Sequence, residues 1–212
     1  MIDNSNKKRV IDNDNLMKEW NWSRDNELGL NPEELYCDSH KKVWWACDNG
    51  HEWEAAVYKR NDGYNCPYCS NRKVLVGYND LVTTNPELAK QWHPTKNGGL
   101  TPQDVTASSN KSVWWICDEG HEWKATVKDR KNGIGCPYCS GKKVLSGYND
   151  LVTANPEPSK QWYQAKNGDL TPQNVATSSH KKVWWVCNNG HEFEAAIYNY
   201  VNGYGCKMCA KK

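Results

Sequence analysis

The sequence predicts a small metal-bound α+β fold that occurs three times in tandem, each unit a short helix followed by an antiparallel hairpin. Two observations predict it. A pattern of cysteine and histidine with fixed internal spacing recurs every 70 residues along the 212-residue chain. Each copy of that pattern begins where two strand-like segments meet at a glycine-containing turn. A strict period of this kind is typical of a repeat architecture, in which each unit is one small structural module.

The first copy of the pattern is Cys47-x3-His51 followed by Cys66-x2-Cys69. The other two copies have the same spacing and consist of Cys117, His121, Cys136 and Cys139, and of Cys187, His191, Cys206 and Cys209. Three thiolates and one imidazole are the ligands of a closed tetrahedral structural zinc site. A disulfide framework would have no use for a histidine at a fixed place after a cysteine. The sequence therefore predicts three structural zinc ions, and each unit becomes a short helix plus an antiparallel zinc-ribbon hairpin.

The period divides the chain into a flexible N-terminus (1–14), repeat 1 (15–76), repeat 2 (77–146) and repeat 3 (147–212). Repeats 2 and 3 open with the same seven residues, Gly-Tyr-Asn-Asp-Leu-Val-Thr, at 77–83 and at 147–153. Repeat 1 lacks this lead-in. An atypical first repeat is what a terminal cap looks like.

The helix of repeat 2 is predicted after Asn85, because Asn85 suits an N-cap, Pro86 the first helical position and Glu87 the first turn. Leu88 and Trp92 then lie one turn apart on one face of that helix. The counterparts of Trp92 are Trp20 and Trp162.

The hairpin of repeat 1 is predicted from strands over 42–47 and 51–58, with 48–50 as the turn. Because side chains alternate along a strand, Trp45 shares the face of the ligand Cys47 and is expected in the core, as are Trp115 and Trp185. The other member of each pair (Trp44, Trp114, Trp184) lies on a mostly polar face. It either packs under the helix of its own repeat or stays exposed as a platform on which bases stack.

Net charge does not favour nucleic acid. The formal charge of +2 becomes −1 once three zinc ions are bound by three thiolates each, and the three thirds of the chain are nearly balanced. Basic residues nevertheless cluster before the tryptophan pair, at the exit of the hairpin and after the second cysteine pair, an arrangement that suits phosphate contact or is simply a solvated surface. The candidate nucleic-acid contacts are Lys41, Lys42, Trp44, Arg60, Arg72, Lys73, Lys111, Trp114, Arg130, Lys142, Lys143, Lys181, Lys182 and Trp184.

Enzyme and membrane classes find no support in the sequence. It has no phosphate-binding glycine loop, zinc-protease helix or nucleophile elbow, and a closed four-ligand site leaves no coordination position for a substrate. We therefore expect no catalysis and no small-molecule substrate. No apolar run approaches the ~20 residues of a membrane span, and free thiols without an export signal favour a reducing cytoplasm. Cys37, whose counterparts are Ala107 and Thr177, is expected to be an unligated thiol.

The string Asn-Pro-Glu-Leu-Ala-Lys-Gln-Trp, Val-Trp-Trp-x-Cys-x2-Gly-His-Glu-Trp and Cys-Pro-x-Cys resembles a family of tandem probable zinc-ribbon domains of unknown function, over about 15–210. It departs from the family at Pro158, Phe193 and Lys207-Met208. The resemblance implies tandem arrays in bacteria, phages and other viruses, with some relatives fused to restriction-type nuclease domains.

Two functional hypotheses follow. The first is a non-catalytic array that binds nucleic acid, DNA rather than RNA. The second is a protein-interaction module, such as a phage or mobile-element adaptor or inhibitor of a host protein, which would work in the host cytoplasm if it is phage-encoded. Interfaces are enriched in the aromatic residues that this chain carries.

Overall fold

A computed structural model describes residues 7–210 of the chain. These residues fall into two compact bodies, the first reaching Val113 and including Thr126–Lys131, the second made of Trp114–Ala125 and the chain from Asn132 onward. Three two-stranded sheets form the centres of the repeats. Their strands are β1 (Lys42–Ala46), β2 (Glu52–Ala56), β3 (Ser112–Ile116), β4 (Glu122–Thr126), β5 (Lys182–Val186) and β6 (Glu192–Ala196).

Each hairpin turn is tight and closed by glycine. In repeat 1 the N–H of Cys47 donates to the carbonyl of His51 (3.1 Å), and the N–H of Gly50 donates back to the carbonyl of Cys47 (2.8 Å). Gly50 has a φ of 76°, a left-handed conformation that glycine adopts without strain. The strands are antiparallel, with Trp45 opposite Trp53. The turn thereby holds the first two metal-ligand candidates side by side.

The helices are short. Before the hairpins lie α1 (Asp14–Met17), α2 (Trp22–Glu27), α4 (Leu81–Thr84), α5 (Pro86–Lys90), α7 (Leu151–Ala154), α8 (Pro156–Ser159) and α9 (Gln164–Asn167), with one-turn 3-10 helices at Val10–Asp12 and Pro102–Asp104. After the hairpins lie α3 (Val57–Asn61), α6 (Val127–Lys131) and α10 (Ile197–Val201). Within 7–210, none of these helices combines the length and apolar character needed to cross a membrane.

Helix α3 replaces the end of the strand that the sequence predicts over 51–58. The partner strand β1 begins at Lys42, opposite Ala56, so the ladder has no further pairing to offer. The next two backbone N–H groups find other acceptors: Val57 donates to the carbonyl of Lys41 and Tyr58 to that of Ser39. The chain bends into a helix because those carbonyls lie in the loop and not in a strand.

The core of repeat 1 is built around Trp45, which is fully buried. Its indole N–H donates to the carbonyl of Ala55 (3.0 Å), and Trp20 packs on it edge-to-face at 5.8 Å between ring centroids. Val10, also fully buried, belongs to the same cluster. Residues 7–14 therefore pack on repeat 1, unlike the flexible segment expected from the sequence, while 1–6 lie outside the described residues.

The core of repeat 3 has the same pair of packed tryptophans as repeat 1 and an additional tyrosine ring. Trp185 is fully buried and donates to the carbonyl of Ala195 (3.1 Å), with Trp162 edge-to-face at 5.5 Å. Tyr200 adds a ring 4.2 Å from Trp185. With Trp115 also fully buried, the predicted parity of the tryptophan pairs is confirmed in all three repeats.

Candidate metal centres and basic surface

The twelve predicted ligands gather into three groups of four, and within each group the ligand atoms all lie within 4.8 Å of one another. In repeat 1 the turn supplies Cys47 and His51, and a second turn supplies Cys66 and Cys69. His51 Nδ1 lies 3.4, 3.7 and 3.2 Å from the sulfurs of Cys47, Cys66 and Cys69, and the Cys47 and Cys69 sulfurs are 3.8 Å apart.

These distances are those of a tetrahedral zinc site. Metal–sulfur and metal–nitrogen bonds of about 2.3 and 2.0 Å place two sulfurs about 3.8 Å apart and sulfur about 3.5 Å from nitrogen. Repeat 2 reproduces them, with 3.8 Å between the Cys117 and Cys139 sulfurs and 3.3 Å from His121 Nδ1 to Cys139. The three Cys3His clusters fit three structural zinc ions, with Nδ1 as the histidine donor.

The other two groups vary little from the first. His121 Nδ1 lies 3.5 Å from Cys117 and 3.8 Å from Cys136. In repeat 3 the Cys187 and Cys209 sulfurs are 3.7 Å apart. The three sites therefore share one internal geometry.

The second turn of each site is a knuckle stabilised by its own backbone. In repeat 1 the N–H of Ser70 donates to the carbonyl of Cys66 (3.1 Å), and the N–H groups of Arg72 and Lys73 both donate to the carbonyl of Pro67. Cys37 lies outside every site, as the sequence predicts: it is buried, and its thiol donates to the carbonyl of Arg9.

The thiols of one site are not equivalent. A hydrogen bond from Asn49 Nδ2 (3.3 Å) lowers the pKa of Cys69 to about 6, and burial raises the pKa of Cys66 to about 11. Asn189 repeats the contact to Cys209 at 3.2 Å and lowers the pKa of that thiol, but burial and the neighbouring Cys187 and Cys206 thiols raise this pKa overall. Glu119 stands at this position in repeat 2.

Nine of the predicted basic contacts are exposed. They are Lys41, Lys42, Arg72, Lys73, Lys111, Lys142, Lys143, Lys181 and Lys182. Arg60 is a correction, because it is 8 % exposed, forms an ion pair with Glu19 and donates to the carbonyl of Tyr64. Its guanidinium lies 5.8 Å from the Trp45 ring centroid. Helix α3 turns this side chain toward the core, so it does not reach a phosphate.

Arg130, the counterpart in repeat 2, is half-buried and donates to Gln91. In repeat 3 the pair is Tyr200 and Gln161, again hydrogen-bonded. The same two hydrogen-bonded positions are thus occupied by Glu19 and Arg60 in repeat 1, by Gln91 and Arg130 in repeat 2, and by Gln161 and Tyr200 in repeat 3. This stepwise exchange between repeats is the sequence signal that could have identified Arg60 and Arg130 as structural residues.

Trp44, Trp114 and Trp184 are half-buried, and in each a cation of the same repeat lies over the ring. The cations are Arg24 at 4.5 Å, Lys124 at 5.3 Å and Lys166 at 4.3 Å. Trp20 and Trp162, which lie between helices, pack on Trp45 and Trp185, the other members of the pairs. The residues over Trp44 and Trp184 belong to helices α2 and α9. Each of these half-buried rings therefore has a cation of its own repeat over one face.

One exposed aromatic residue that the sequence analysis did not single out is Tyr64, at 54 % exposure. It lies in a groove of about 410 Å³ between β2 and the knuckle, called here the repeat-1 groove. The groove is lined by Lys42, Trp53, Glu54, Ala55, Ala56, Lys59, Tyr64, Asn65, Pro67, Arg72 and Lys73. Arg72 places its guanidinium 5.4 Å from the Tyr64 ring centroid.

Comparison with known proteins places this geometry in a family. The family described as "Probable Treble clef zinc finger domain" matches residues 16–72, 88–142 and 159–212. That description replaces the zinc-ribbon label of the sequence analysis and keeps the zinc-binding repeat. A protein of Escherichia phage T5 named "Putative endonuclease" is 25 % identical over 114 residues, which are 53 % of this chain and 37 % of the phage protein. The chain thus matches little more than a third of the length of that relative.

Proposed function

Because the chain belongs to the probable treble clef zinc finger family, we propose that it is a non-catalytic zinc-finger array that binds nucleic acid, DNA rather than RNA. The observation that carries the proposal is the repeat-1 groove. It joins four cations, one carboxylate and an exposed tyrosine on one surface. Basic grooves with aromatic residues bind single strands, since phosphates meet the cations and bases stack on the rings.

The cations of this groove are available to a ligand. Lys42, Lys59, Arg72 and Lys73 are exposed, and the contact of Lys42 with Glu54 is a 4.0 Å surface pair of little energy. Arg72 donates to the Ser70 hydroxyl and to the carbonyl of Asn65, neither of which neutralises its charge. The groove therefore presents a fixed guanidinium beside an aromatic face.

The phage relative supports a nucleic acid as the ligand, since its name is "Putative endonuclease" and this chain matches only part of it. We propose that the shared part serves binding. The family description names a zinc finger and no activity. Three tandem copies allow weak contacts to sum to useful affinity.

The test is a titration of the zinc-loaded chain with labelled single- and double-stranded DNA and RNA at two salt concentrations. A Lys59→Ala/Lys73→Ala variant removes two groove charges. Its matched control is Lys90→Ala/Lys160→Ala, which lowers the net charge by the same amount. These two exposed lysines lie outside the groove and pair with the helix residues Glu87 and Glu157. If both groove lysines contact phosphate, the slope of log K against log salt should become shallower by about 1.4 (single strand) to 1.8 (double strand) in the groove variant, and the control should retain the wild-type slope.

Tyr64→Ala is expected to weaken single-strand binding about 5- to 150-fold, the range of one lost base stack. This side chain is exposed, so the change leaves the core intact. No detectable binding at low salt, or equal losses in the groove and control variants, would overturn the proposal.

A second candidate, protein binding, is favoured by the corresponding groove of repeat 3. It has about 610 Å³ and is lined by Phe193, Tyr204 and Met208 besides Lys182 and Lys207. Tyr204 is 71 % and Met208 46 % exposed, and exposed aromatic and methionine side chains are typical of protein interfaces. If the repeat-3 groove binds a protein, Met208→Ser should weaken capture of that protein. It should leave the slope of log K against log salt for nucleic acid unchanged.

A further inference from the structure

The metal centre of repeat 1 is covered by a tyrosine from the lead-in of repeat 2. The Tyr78 ring lies 4.1 Å from the His51 ring, centroid to centroid, with the planes at 69°. Its hydroxyl donates to the sulfur of Cys69 at 3.8 Å. One aromatic side chain thus contacts two of the four ligands.

The arrangement recurs at the next junction. Tyr148, in the lead-in of repeat 3, lies 4.1 Å from His121 at 67°, and its hydroxyl donates to the sulfur of Cys139 at 4.0 Å. Two junctions with the same contacts, to the same two ligands, indicate a built feature and not a chance proximity.

An asparagine fixes each tyrosine in place. Asn79 is 5 % exposed; its carbonyl oxygen accepts from the N–H of Leu75 (2.7 Å), and its amide donates to the carbonyls of Tyr68 (2.8 Å) and Lys73 (2.9 Å). Both of these carbonyls belong to the knuckle. Asn149 makes the same three bonds with Leu145, Tyr138 and Lys143. The lead-in is therefore tied to the preceding metal site before its own helix begins at Leu81.

The three sites differ in the donors that reach their last cysteine. Cys69 accepts from both Asn49 and Tyr78, and Cys139 accepts from Tyr148. Among residues 7–210, Cys209 receives a side-chain amide from Asn189, and His191 has no tyrosine against its ring. The number of outer contacts thus falls after site 1.

We propose that Tyr78 and Tyr148 are positioning residues of the metal centres, and that zinc retention by one repeat depends on the lead-in of the next. The ring restricts rotation of the histidine ligand, and the hydroxyl withdraws charge from the most exposed thiolate, Cys69 or Cys139. Outer partners of this kind typically change metal affinity 10- to 100-fold. The sequence motif Gly-Tyr-Asn-Asp-Leu is then part of the preceding zinc site.

The test measures zinc release from the loaded full-length chain into excess 4-(2-pyridylazo)resorcinol, whose colour reports free zinc. Tyr78→Phe keeps the ring and removes the hydroxyl. We expect it to accelerate the release of one of the three ions about 10-fold or more, with the other two unchanged, and Tyr148→Phe to do the same for another ion. Tyr68→Phe is the control, since this ring also neighbours His51 (5.6 Å) and makes no hydroxyl hydrogen bond within the described residues.

A second readout separates positioning from general loosening. In the cobalt-substituted chain, loss of a thiolate hydrogen bond should move the sulfur-to-cobalt charge-transfer band of one site to lower energy in Tyr78→Phe and Tyr148→Phe. A purely structural role would leave this band in place. Unchanged bands with wild-type release rates in both variants, or an equal effect of Tyr68→Phe, would overturn the proposal.

Discussion

Replacement of Asp25 by asparagine should stabilise the protein at neutral pH. Asp25 is fully buried, and its Oδ1 accepts a hydrogen bond from the N–H of Trp44 (2.9 Å). Its Oδ2 has no hydrogen-bond partner among the described residues. Burial raises the pKa of Asp25, although the backbone bond from Trp44 lowers it. Folding therefore disfavours the charge that this carboxyl carries in the unfolded chain at pH 7.

In repeat 3 an asparagine, Asn167, stands at the position of Asp25, and both ends of its amide are hydrogen-bonded. Asn167 Oδ1 accepts from the N–H of Trp184 (2.8 Å), and its Nδ2 donates to the Trp184 carbonyl (2.9 Å), which also accepts from the N–H of Tyr163 (3.0 Å). In repeat 1 the Trp44 carbonyl accepts from the N–H of Asn21 (3.2 Å) and keeps a second lone pair. An asparagine at position 25 would use that lone pair and leave no buried oxygen unsatisfied.

The expected gain is about 1–3 kcal/mol, the cost of one unsatisfied buried polar group. The assay is urea or thermal unfolding of zinc-loaded wild type and Asp25→Asn from about pH 8 to about pH 5.5, read as the difference between the two proteins so that titration of the zinc ligands cancels. Because the folded pKa lies above the unfolded one, ionised Asp25 is penalised fully above its folded pKa. The advantage of asparagine should therefore be largest at neutral and alkaline pH and shrink as pH falls through that pKa.

Two further variants isolate the cause. Asp25→Ala removes the charge but also the acceptor for the Trp44 N–H, so it should not be stabilising. Asn167→Asp should destabilise repeat 3 at neutral pH. A stability of Asp25→Asn equal to or below that of the wild type at neutral pH would refute the reasoning.

Further predictions concern the metal and the core. Purified, unchelated protein should contain about three zinc ions by elemental analysis, and chelation should abolish the folded circular-dichroism signal, since zinc-binding energy is folding energy in such units; a content near zero in folded protein would contradict this. Trp45→Ala should lower the free energy of unfolding by about 3–5 kcal/mol, and Trp44→Ala by clearly less, whereas equal losses would contradict the burial difference. Arg60→Ala should cost about 3 kcal/mol by leaving Glu19 unpaired, and a Glu19→Gln/Arg60→Tyr pair copied from repeat 3 should recover most of it. Failure of that double variant in urea unfolding would show that the position is not interchangeable between repeats.

The sequence predicted correctly those features that depend on residues close together in the chain. Ligand spacing placed the metal sites, and strand alternation placed Trp45 in the core, because both follow from neighbours along one chain segment. The helix at Val57 was missed because valine and tyrosine suit a strand and only the length of the partner strand ends it. Arg60 was assigned to the surface because a basic run is usually solvated, and its acceptor Glu19 is 41 residues away. The role proposed for Tyr78 depends on a contact 27 residues back in the chain, at His51, which no pattern within one repeat reveals.

The three repeats differ in charge where the proposed binding surface lies. The ligand set is the same in each, but the position of Lys59 in the repeat-1 groove is held by Asp129 in repeat 2 and Asn199 in repeat 3. A structural zinc site tolerates few ligand types, whereas a groove can change charge without loss of the fold. The metal therefore serves a role common to all repeats, namely folding, whereas the proposed binding would be distributed unequally among them. Since phosphate affinity rises with the number of cations engaged, repeat 1 should supply the largest electrostatic share, with the other grooves adding contacts of different chemistry.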